Sequence, residues 1–367
     1  MNLLENIKIK RLDRYIISKF LGTYFFAIAL IIAIIVVFDY NEHLDKFTTS
    51  NAPFSAIVFD YYLNLLPYYA NTFSALFVFI AVIYFTSKLA ETSEIIAMFA
   101  AGVSFKRLLR PYMISAALIA LMTYTLGAYI IPIGNKTRID FEVKYKRKDT
   151  TESARNIQFM VDDNTTAYLE RYENRTNTGY RFRLDSFDEK NLVSTLTART
   201  ITYHPEERYK WTVKGWMIRE LGNDKEIIRS DMRMPLDTVI NIEPTDFLIS
   251  EGQQETMTSP QLSEYIDKQK ARGMANVKPF EIEYHKRIAM TFAAFILTVI
   301  GASLSSKKTK GGMGLSLGIG LGLSFSYILF QAISSAFAEQ MPVWLAVWLP
   351  NIIYSMIAIY LYKKAPK

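Results

Sequence analysis

The sequence predicts a membrane α-helical protein of six transmembrane helices, with an all-β, jellyroll-like domain inserted after the third. Six uncharged, mostly apolar runs, Phe20 to Phe38, Tyr61 to Ser87, Pro111 to Asn135, Ile288 to Ser306, Gly311 to Ala338 and Gln340 to Tyr362, each reach the roughly 20 residues that cross a bilayer core. Between the third and fourth lies a stretch from Asn135 to Glu283 in which apolar residues alternate with polar ones, the period of a half-buried strand. Composition agrees: of 367 residues 50% are hydrophobic and 21% charged, too charged to lie wholly in lipid and too apolar for an ordinary soluble domain.

Lysine and arginine set the orientation. Lys8, Lys10, Arg11, Arg14 and Lys19 lead the chain, Lys88, Lys106, Arg107 and Arg110 separate spans two and three, Lys307, Lys308 and Lys310 separate spans four and five, and Lys363, Lys364 and Lys367 end it. The opposite loops hold mainly Asp39, Glu42, Asp45, Asp60 and Glu339, with Lys46. Basic residues favour the cytoplasmic side, so both termini are expected inside and the insert outside. The net charge of +7 is then spread over separate loops, and no nucleic-acid partner is expected. Without cysteine there is no disulfide, thiolate catalysis or Cys-ligated zinc.

Arg11 to Tyr15 reads as a basic amphipathic lead that anchors span one. That span runs into Asp39, Tyr40 and Asn41 rather than a small-residue cleavage site, which argues against a signal peptide. A polar outer loop is expected from Asp39 to near Phe59. Span two contains Asn64, Pro67 and Asn71, which either pack helices or face substrate. Lys88 to Gly102 is expected to be a short amphipathic helix closed by Gly102. Glu91, Glu94, Ile95 and Met98 recur at i, i+3, i+4 and i+7 and would share one face. Such a stripe needs a cover, and its acids favour a basic protein partner over a membrane surface.

The insert shows strand patterns at Ile157 to Val161, Thr166 to Tyr172, Tyr180 to Phe187, Leu192 to Tyr203, Tyr209 to Val213, Glu226 to Met234 and Leu236 to Ile242. Turn residues lie at Asn174 to Gly179 and at Gly222-Asn223-Asp224. Eight or so short strands without helices between them imply a sandwich or jelly roll. Phe159 and Trp211 stand on apolar strand faces that either hold acyl chains or fill a core. A linker helix is expected over Ser259 to Arg272, after the helix-starting Ser259-Pro260.

Span four opens on His285-Lys286-Arg287, a basic cluster on the outer side. It is either a snorkelling group neutralised by Glu281 and Glu283 or, with Lys136 and Arg138 beyond span three, a site for anionic lipid headgroups. Lys46 joins these headgroup candidates. Span five carries Gly314, Gly318 and Gly322 at spacings of four, a helix-packing face that serves this chain or pairs it with another.

Enzyme motifs are missing. There is no G-x-x-x-x-G-K-[ST] phosphate loop and no H-E-x-x-H. His43, His204 and His285 are dispersed, so neither a metal site nor a cofactor is expected. A membrane-anchored sensor or envelope assembly factor is the alternative from another class.

Four stretches resemble the LptF/LptG permease family: Leu12-Asp13-Arg14-Tyr15; Ser93-Glu94-Ile95-x-x-Met98-x-Ala100-x-Gly102-x-Ser104; the linker Pro244 to Gly273; and Arg287-x-Ala289. The leader is similar to LptG-like members. The resemblance implies three spans and a coupling helix near 88–102 in residues 1–135, a periplasmic β-jellyroll over 136–255, a helical linker over 256–284 and three spans over 285–367. It implies a subunit of an ATP-driven transporter in the bacterial inner membrane. That machine extracts lipopolysaccharide and passes it to a periplasmic bridge for outer membrane biogenesis. The implied partners are a second LptF/LptG-type permease, an LptB-type ATPase dimer, and LptC and LptA-type periplasmic proteins. Glu94 and its motif neighbours would contact the ATPase. Two positions depart from the family: Thr291 stands where proline is frequent, and Asp39 where LptG-type members carry a basic residue.

Overall fold

The computed structural model describes residues 10–145, 153–189, 191–222, 225–244, 252–271, 277–306 and 312–365. They fall into a helical unit (Met1–Lys146, Glu255–Ser259 and Glu281–Lys367) and a sheet unit (Arg147–Gln254 and Pro260–Phe280).

The helical unit begins with α1 (Arg11–Thr49), α2 (Phe54–Ala56), a π-helical turn (Ile57–Tyr62), α3 (Leu63–Thr72), α4 (Ser74–Glu91) and α5 (Glu94–Ala100). α6 (Phe105–Thr125), a second π-helical turn (Leu126–Ile130) and α7 (Ile131–Tyr145) follow. After the sheet unit and its helix α8 (Ser259–Ala271) come α9 (Lys278–Ser305), α10 (Gly312–Ala336) and α11 (Val343–Lys364). Among the described residues 6 helices are long and apolar enough to cross a membrane, and each contains most of one of the expected runs.

α4 is the centre of this unit. On one side Phe77, Val78, Ala81, Val82 and Phe85 meet Ile16, Phe20, Tyr24 and Ile28, four apart on a single line of α1, together with Leu108, Tyr112 and Ile119 of α6. On the other, Ala75, Phe79 and Ile83 meet Ala293, Leu297 and Ile300 of α9, Tyr327 of α10 and Tyr354 of α11. Polar groups inside the bundle pair across helices, since lipid offers them no water. Tyr24 and Ser74 hydroxyls lie 2.6 Å apart, and those of Thr86 and Tyr112 2.9 Å apart. Asn351 of α11 joins three helices: its Oδ1 accepts from the Tyr327 hydroxyl at 2.8 Å and its Nδ2 donates to the Ala289 carbonyl at 2.8 Å. Such bonds contribute about 0.6 kcal/mol each in a membrane bundle, so the packing of α4 dominates. The apolar window of α4 is 72% buried, against 17% for α1 and 22% for α10. Those two helices leave most of their apolar surface for lipid or a partner.

Three boundaries differ from expectation. The polar loop expected from Asp39 is a continuation of α1, whose 39 residues make about 58 Å at 1.5 Å per residue, nearly twice a bilayer core. The extension is held by Asp39, whose two carboxylate oxygens accept from Tyr61 at 3.1 Å and Tyr62 at 3.0 Å, and by Phe47, packed edge-to-face against Tyr61 and Phe141. The π-helical turn aims these consecutive tyrosines at one carboxylate. The single helix expected over Tyr61 to Ser87 is two, α3 and α4, meeting at Phe73, where ψ is 1°. Finally, α7 continues to Tyr145, so the insert starts later than position 136.

The sheet unit is built from β1 (Ser153–Asp162), β2 (Thr165–Glu173), β3 (Thr178–Asp188), β4 (Asn191–Tyr203), β5 (Lys210–Leu221), β6 (Glu226–Asp231) and β7 (Leu236–Val239). All pairings are antiparallel in the order β1-β2-β3-β4-β5-β6, and β7 pairs with the start of β5 on the edge whose far end carries β6. The strands run as a meander, and the sheet rolls over one core. β1 and β5 are four strands apart, about 19 Å in a flat sheet. Yet Phe159 of β1 and Trp211 of β5 line one cavity of about 10 Å³ with Leu169, Phe182, Ile201 and Ile242, so the sheet must curl. The expected Asn174 to Gly179 turn is a 3₁₀ turn completed by left-handed Asn177 (φ 48). Asn223, Asp224, Arg272, Gly273, Lys8, Lys307, Lys308, Lys310 and Lys367 lie outside the described residues.

Candidate functional sites in the helical unit

The sequence between α4 and α6 folds around a left-handed residue. Ser93 has φ 62, and this turn after Glu91 stops α4 and re-aims the chain into α5. Glu91 therefore ends one helix while Glu94, Ile95 and Met98 stand on the next, which corrects the expectation of one continuous face. Ile95 is fully buried among Ile16, Phe85 and Leu108, and Met98 packs against the same cluster. The apolar stripe is thus covered by the chain's own core. What α5 leaves exposed is Ile96, Ala97 and Ala100, with Glu91 before it. Gly102, at φ 81, turns the chain out of α5 as expected.

One turn of α1 fixes both ends of this segment. The Tyr15 hydroxyl donates to Glu94 at 3.2 Å and the Thr92 hydroxyl to its other oxygen at 3.1 Å, tying down the start of α5. Beyond its end, Asp13 binds Arg107 with two bonds, Nη1 to Oδ1 at 2.6 Å and Nη2 to Oδ2 at 2.8 Å. The Lys10 amide donates to the same carboxylate at 2.9 Å, while the Ser104 hydroxyl caps α6 by accepting from the Arg107 amide at 3.3 Å. Asp13 is 1% exposed, and a buried carboxylate persists only when so paired. Sequence reasoning treated the leader as an anchor and missed this ion pair. Its signal was Asp13 itself, the lone acid in a basic run.

At the other end of the bundle the outer basic candidates separate. Arg287 is buried: its Nε donates to Glu283 at 2.9 Å, and its Nη1 to the Met257 carbonyl at 2.8 Å and the Ser259 hydroxyl at 3.3 Å. Arg138 pairs with Glu142 at 2.7 Å, donates to Asn135 at 3.3 Å and lies 5.8 Å from the Tyr68 ring. Lys286 is 4.0 Å from Glu283. The neutralised-cluster reading thus fits Arg287 and Arg138, with Glu283 paired to Arg287 as their spacing of four suggests. Lys46 and Lys136 are exposed.

A cavity of about 60 Å³ beside this cluster is lined by Tyr68, Asn71, Glu255, Glu283, Lys286 and Arg287, among others. That is room for about two waters and no sugar headgroup. Burial first, then the neighbouring Glu283 charge, pushes the Glu255 carboxyl above its usual value, against the pull of Lys286, Arg138 and Arg287. The Asn135 side chain donates to the Glu255 carbonyl at 3.3 Å, so Asn135 and Arg287 together hold segment 255–259 to α7 and α9.

Of the glycines expected to pack helices, Gly314, Gly318 and Gly322 have no atom within 4 Å of an added Cβ. Among the described residues nothing covers their face. Close packing falls on Gly320, where a Cβ would strike Ile83, and on Gly301, where it would come within 2.9 Å of Val82. In the sheet unit Phe159 and Trp211 are 3% and 1% exposed, and the Trp211 indole donates to the Ile242 carbonyl at 3.1 Å. Both fill a core with no room for an acyl chain. Among the described residues no three metal-ligating side chains converge.

Six membrane-length helices with a sheet domain strung between the third and fourth define a multi-pass membrane protein of the permease type. The chain matches the family model of the lipopolysaccharide export system permease LptF/LptG over residues 14–364 and belongs to that family. It is thus a permease of a lipopolysaccharide export system. No curated protein matches the chain.

Proposed function

We propose that the chain is an inner-membrane permease subunit that moves lipopolysaccharide out of the bilayer, driven by ATP hydrolysis in a separate, LptB-type subunit, and that its partner is a second LptF/LptG-type chain. The observation that carries this reading is α5, a short helix whose first residue, Glu94, is bound by Tyr15 of α1 and whose successor, α6, is bound to α1 through Arg107 and Asp13. A lever needs a rigid mount: movement of α5 would pass into α1, whose apolar surface is mostly uncovered. ATPase contact is assigned to Glu91, Glu94 and the exposed Ile96, with Ile95 and Met98 as the mount. Membrane-bound states of this kind work by differential contacts in two conformations.

The orientation proposed from the basic loops puts both termini in the cytoplasm and the sheet unit in the periplasm, facing LptC and LptA-type bridge proteins. Lys46 and Lys136 remain the headgroup contacts in this reading. The core around Phe159 and Trp211 would carry lipid only if the rolled sheet opens. The leader Leu12 to Tyr15 supports an LptG-like role. Affinity purification of the intact chain from native membranes tests the reading. Recovery of an ATPase and a second permease in fixed ratio is expected, and recovery of the chain without any ATPase contradicts it.

A further inference from the structure

A crease crosses the whole sheet. Each of the four successive ladders from β1 to β5 skips one step at the same height: Asn156 opposite Glu170, Glu170 opposite Arg181, Arg181 opposite Arg199, and Arg199 opposite Gly215. Three of these five residues have left-handed backbone, Asn156 at φ 52, Arg181 at φ 53 and Gly215 at φ 61. The core-facing residues step by three across the crease instead of two, Leu169 to Tyr172 and Ala198 to Ile201, which keeps the apolar side chains on one face while the pleat slips.

On the opposite, outer face the crease opens a shallow hollow of about 370 Å³ lined by Tyr168, Arg181, Arg183, Thr197, Arg199 and Gly215, among others. Arg181 and Arg199 stand across from each other on β3 and β4, and like charges directly opposite are unfavourable. Arg181 bonds Glu170 at 2.8 Å and Arg183 bonds Asp185 at 2.8 Å. Arg199 has no ion pair among the described residues. Its stem lies over Gly215, where an added Cβ would sit 3.0 Å from Arg199 Cδ, so the bare glycine leaves room for that aliphatic stem. An arginine in left-handed backbone is strained by about 1 kcal/mol or more, and strain of this kind is kept where it positions a binding group.

We propose that this hollow binds a phosphate-class oxyanion, with Arg199 as the main ligand and Arg181 and Arg183 flanking it. Guanidinium forks match such an anion with paired bonds, and an anion between Arg181 and Arg199 removes their mutual repulsion. Tyr168 and Thr197 stand at the rim, their hydroxyls donating to Asn156 Oδ1 at 3.1 Å and to the Met217 carbonyl at 3.5 Å. The phosphate belongs either to a lipid headgroup or to a free ion. The site lies on the face turned away from the apolar core and does not rest on the reading of α5.

The test uses the full chain in phosphatidylcholine nanodiscs and equilibrium dialysis against labelled orthophosphate and against dihexanoyl phosphatidic acid. Saturable binding is expected, weakened roughly tenfold or more in Arg199→Ala, less in Arg199→Lys, and unchanged in the remote control Arg208→Ala. Far-UV circular dichroism checks that the sheet persists. Tighter binding of phosphatidic acid identifies a lipid headgroup, and equal binding a free phosphate; both support the site. No saturable binding of either probe, or equal loss in Arg199→Ala and Arg208→Ala, overturns it.

Discussion

Replacing Asp13 by alanine should loosen the mount of α5 without touching α5 itself. The carboxylate holds Arg107 through two bonds of 2.6 and 2.8 Å and the Lys10 amide through one of 2.9 Å. Charge-assisted bonds contribute about 1.5–3 kcal/mol, and orphaning a buried partner costs about 3–5 kcal/mol. The Arg107 side chain keeps 27% of its surface in solvent, so water takes up part of the loss and about 2 kcal/mol is the expected coupling in a cycle of Asp13→Ala, Arg107→Ala and the double variant. Two kcal/mol is roughly a thirtyfold change in an opening equilibrium. Hydrogen exchange of the chain in nanodiscs, read over residues 92–104, should therefore speed up by that factor in each single variant, with little further change in the double one. Strictly additive effects, or unchanged exchange over 92–104 in both single variants, would refute the argument that this ion pair fixes the segment.

Three further outcomes follow from the packing. Gly320→Leu should lower the melting temperature of the helical unit because the new side chain strikes Ile83, while Gly318→Ala should not lower it, because nothing lies within 4 Å and alanine favours the helix; an equal loss in both would contradict the assigned packing faces. Trp211→Ala should cost the sheet unit about 3–5 kcal/mol through the cavity and the lost indole bond, seen as loss of near-ultraviolet dichroism, and a folded variant with normal dichroism would mean that Trp211 is not core. Glu255 has its carboxyl raised above the ordinary 4.5, so the folded state holds its proton longer than the unfolded one. Stability is then greatest below 4.5 and declines as pH rises through the folded value, because the ionised carboxylate is the disfavoured form. Thermal melts of wild type and Glu255→Gln should therefore diverge in the variant's favour as pH increases, and parallel curves would remove Glu255 from the account.

Much of this architecture is legible in the amino-acid order. The six apolar runs and the period-two alternation of the insert are long, repetitive signals of burial in lipid and in a sheet core, and they became helices and strands over the expected stretches, although α1 runs on to Thr49 and span two divides into α3 and α4. Boundaries set by single side chains were not legible. Nothing local says that Asp39 will meet Tyr61 and Tyr62 and carry α1 onward, or that Ser93 will adopt a left-handed turn and divide the stripe Glu91, Glu94, Ile95 and Met98. The same limit applies to the site. The stripe is apolar because α5 docks on its own chain at Ile16 and Leu108, and a periodic face does not record who covers it. In sequence Arg287 stays open between neutralisation by Glu281 and Glu283 and a headgroup contact, because Glu283, four residues away, and the 257–259 segment close on it only once the helix is in place.

In the proposed function, ATP hydrolysis by a partner drives lipopolysaccharide movement through α5 and its mount. The direct measurement is ATP-dependent release of lipopolysaccharide from proteoliposomes holding the complex purified with this chain, compared with complexes carrying Glu94→Arg or Asp13→Ala. ATP-dependent release by the wild type is expected, with release lost in Glu94→Arg and reduced in Asp13→Ala while ATP hydrolysis continues. Undiminished release in both variants, or release that ignores ATP, would contradict the account.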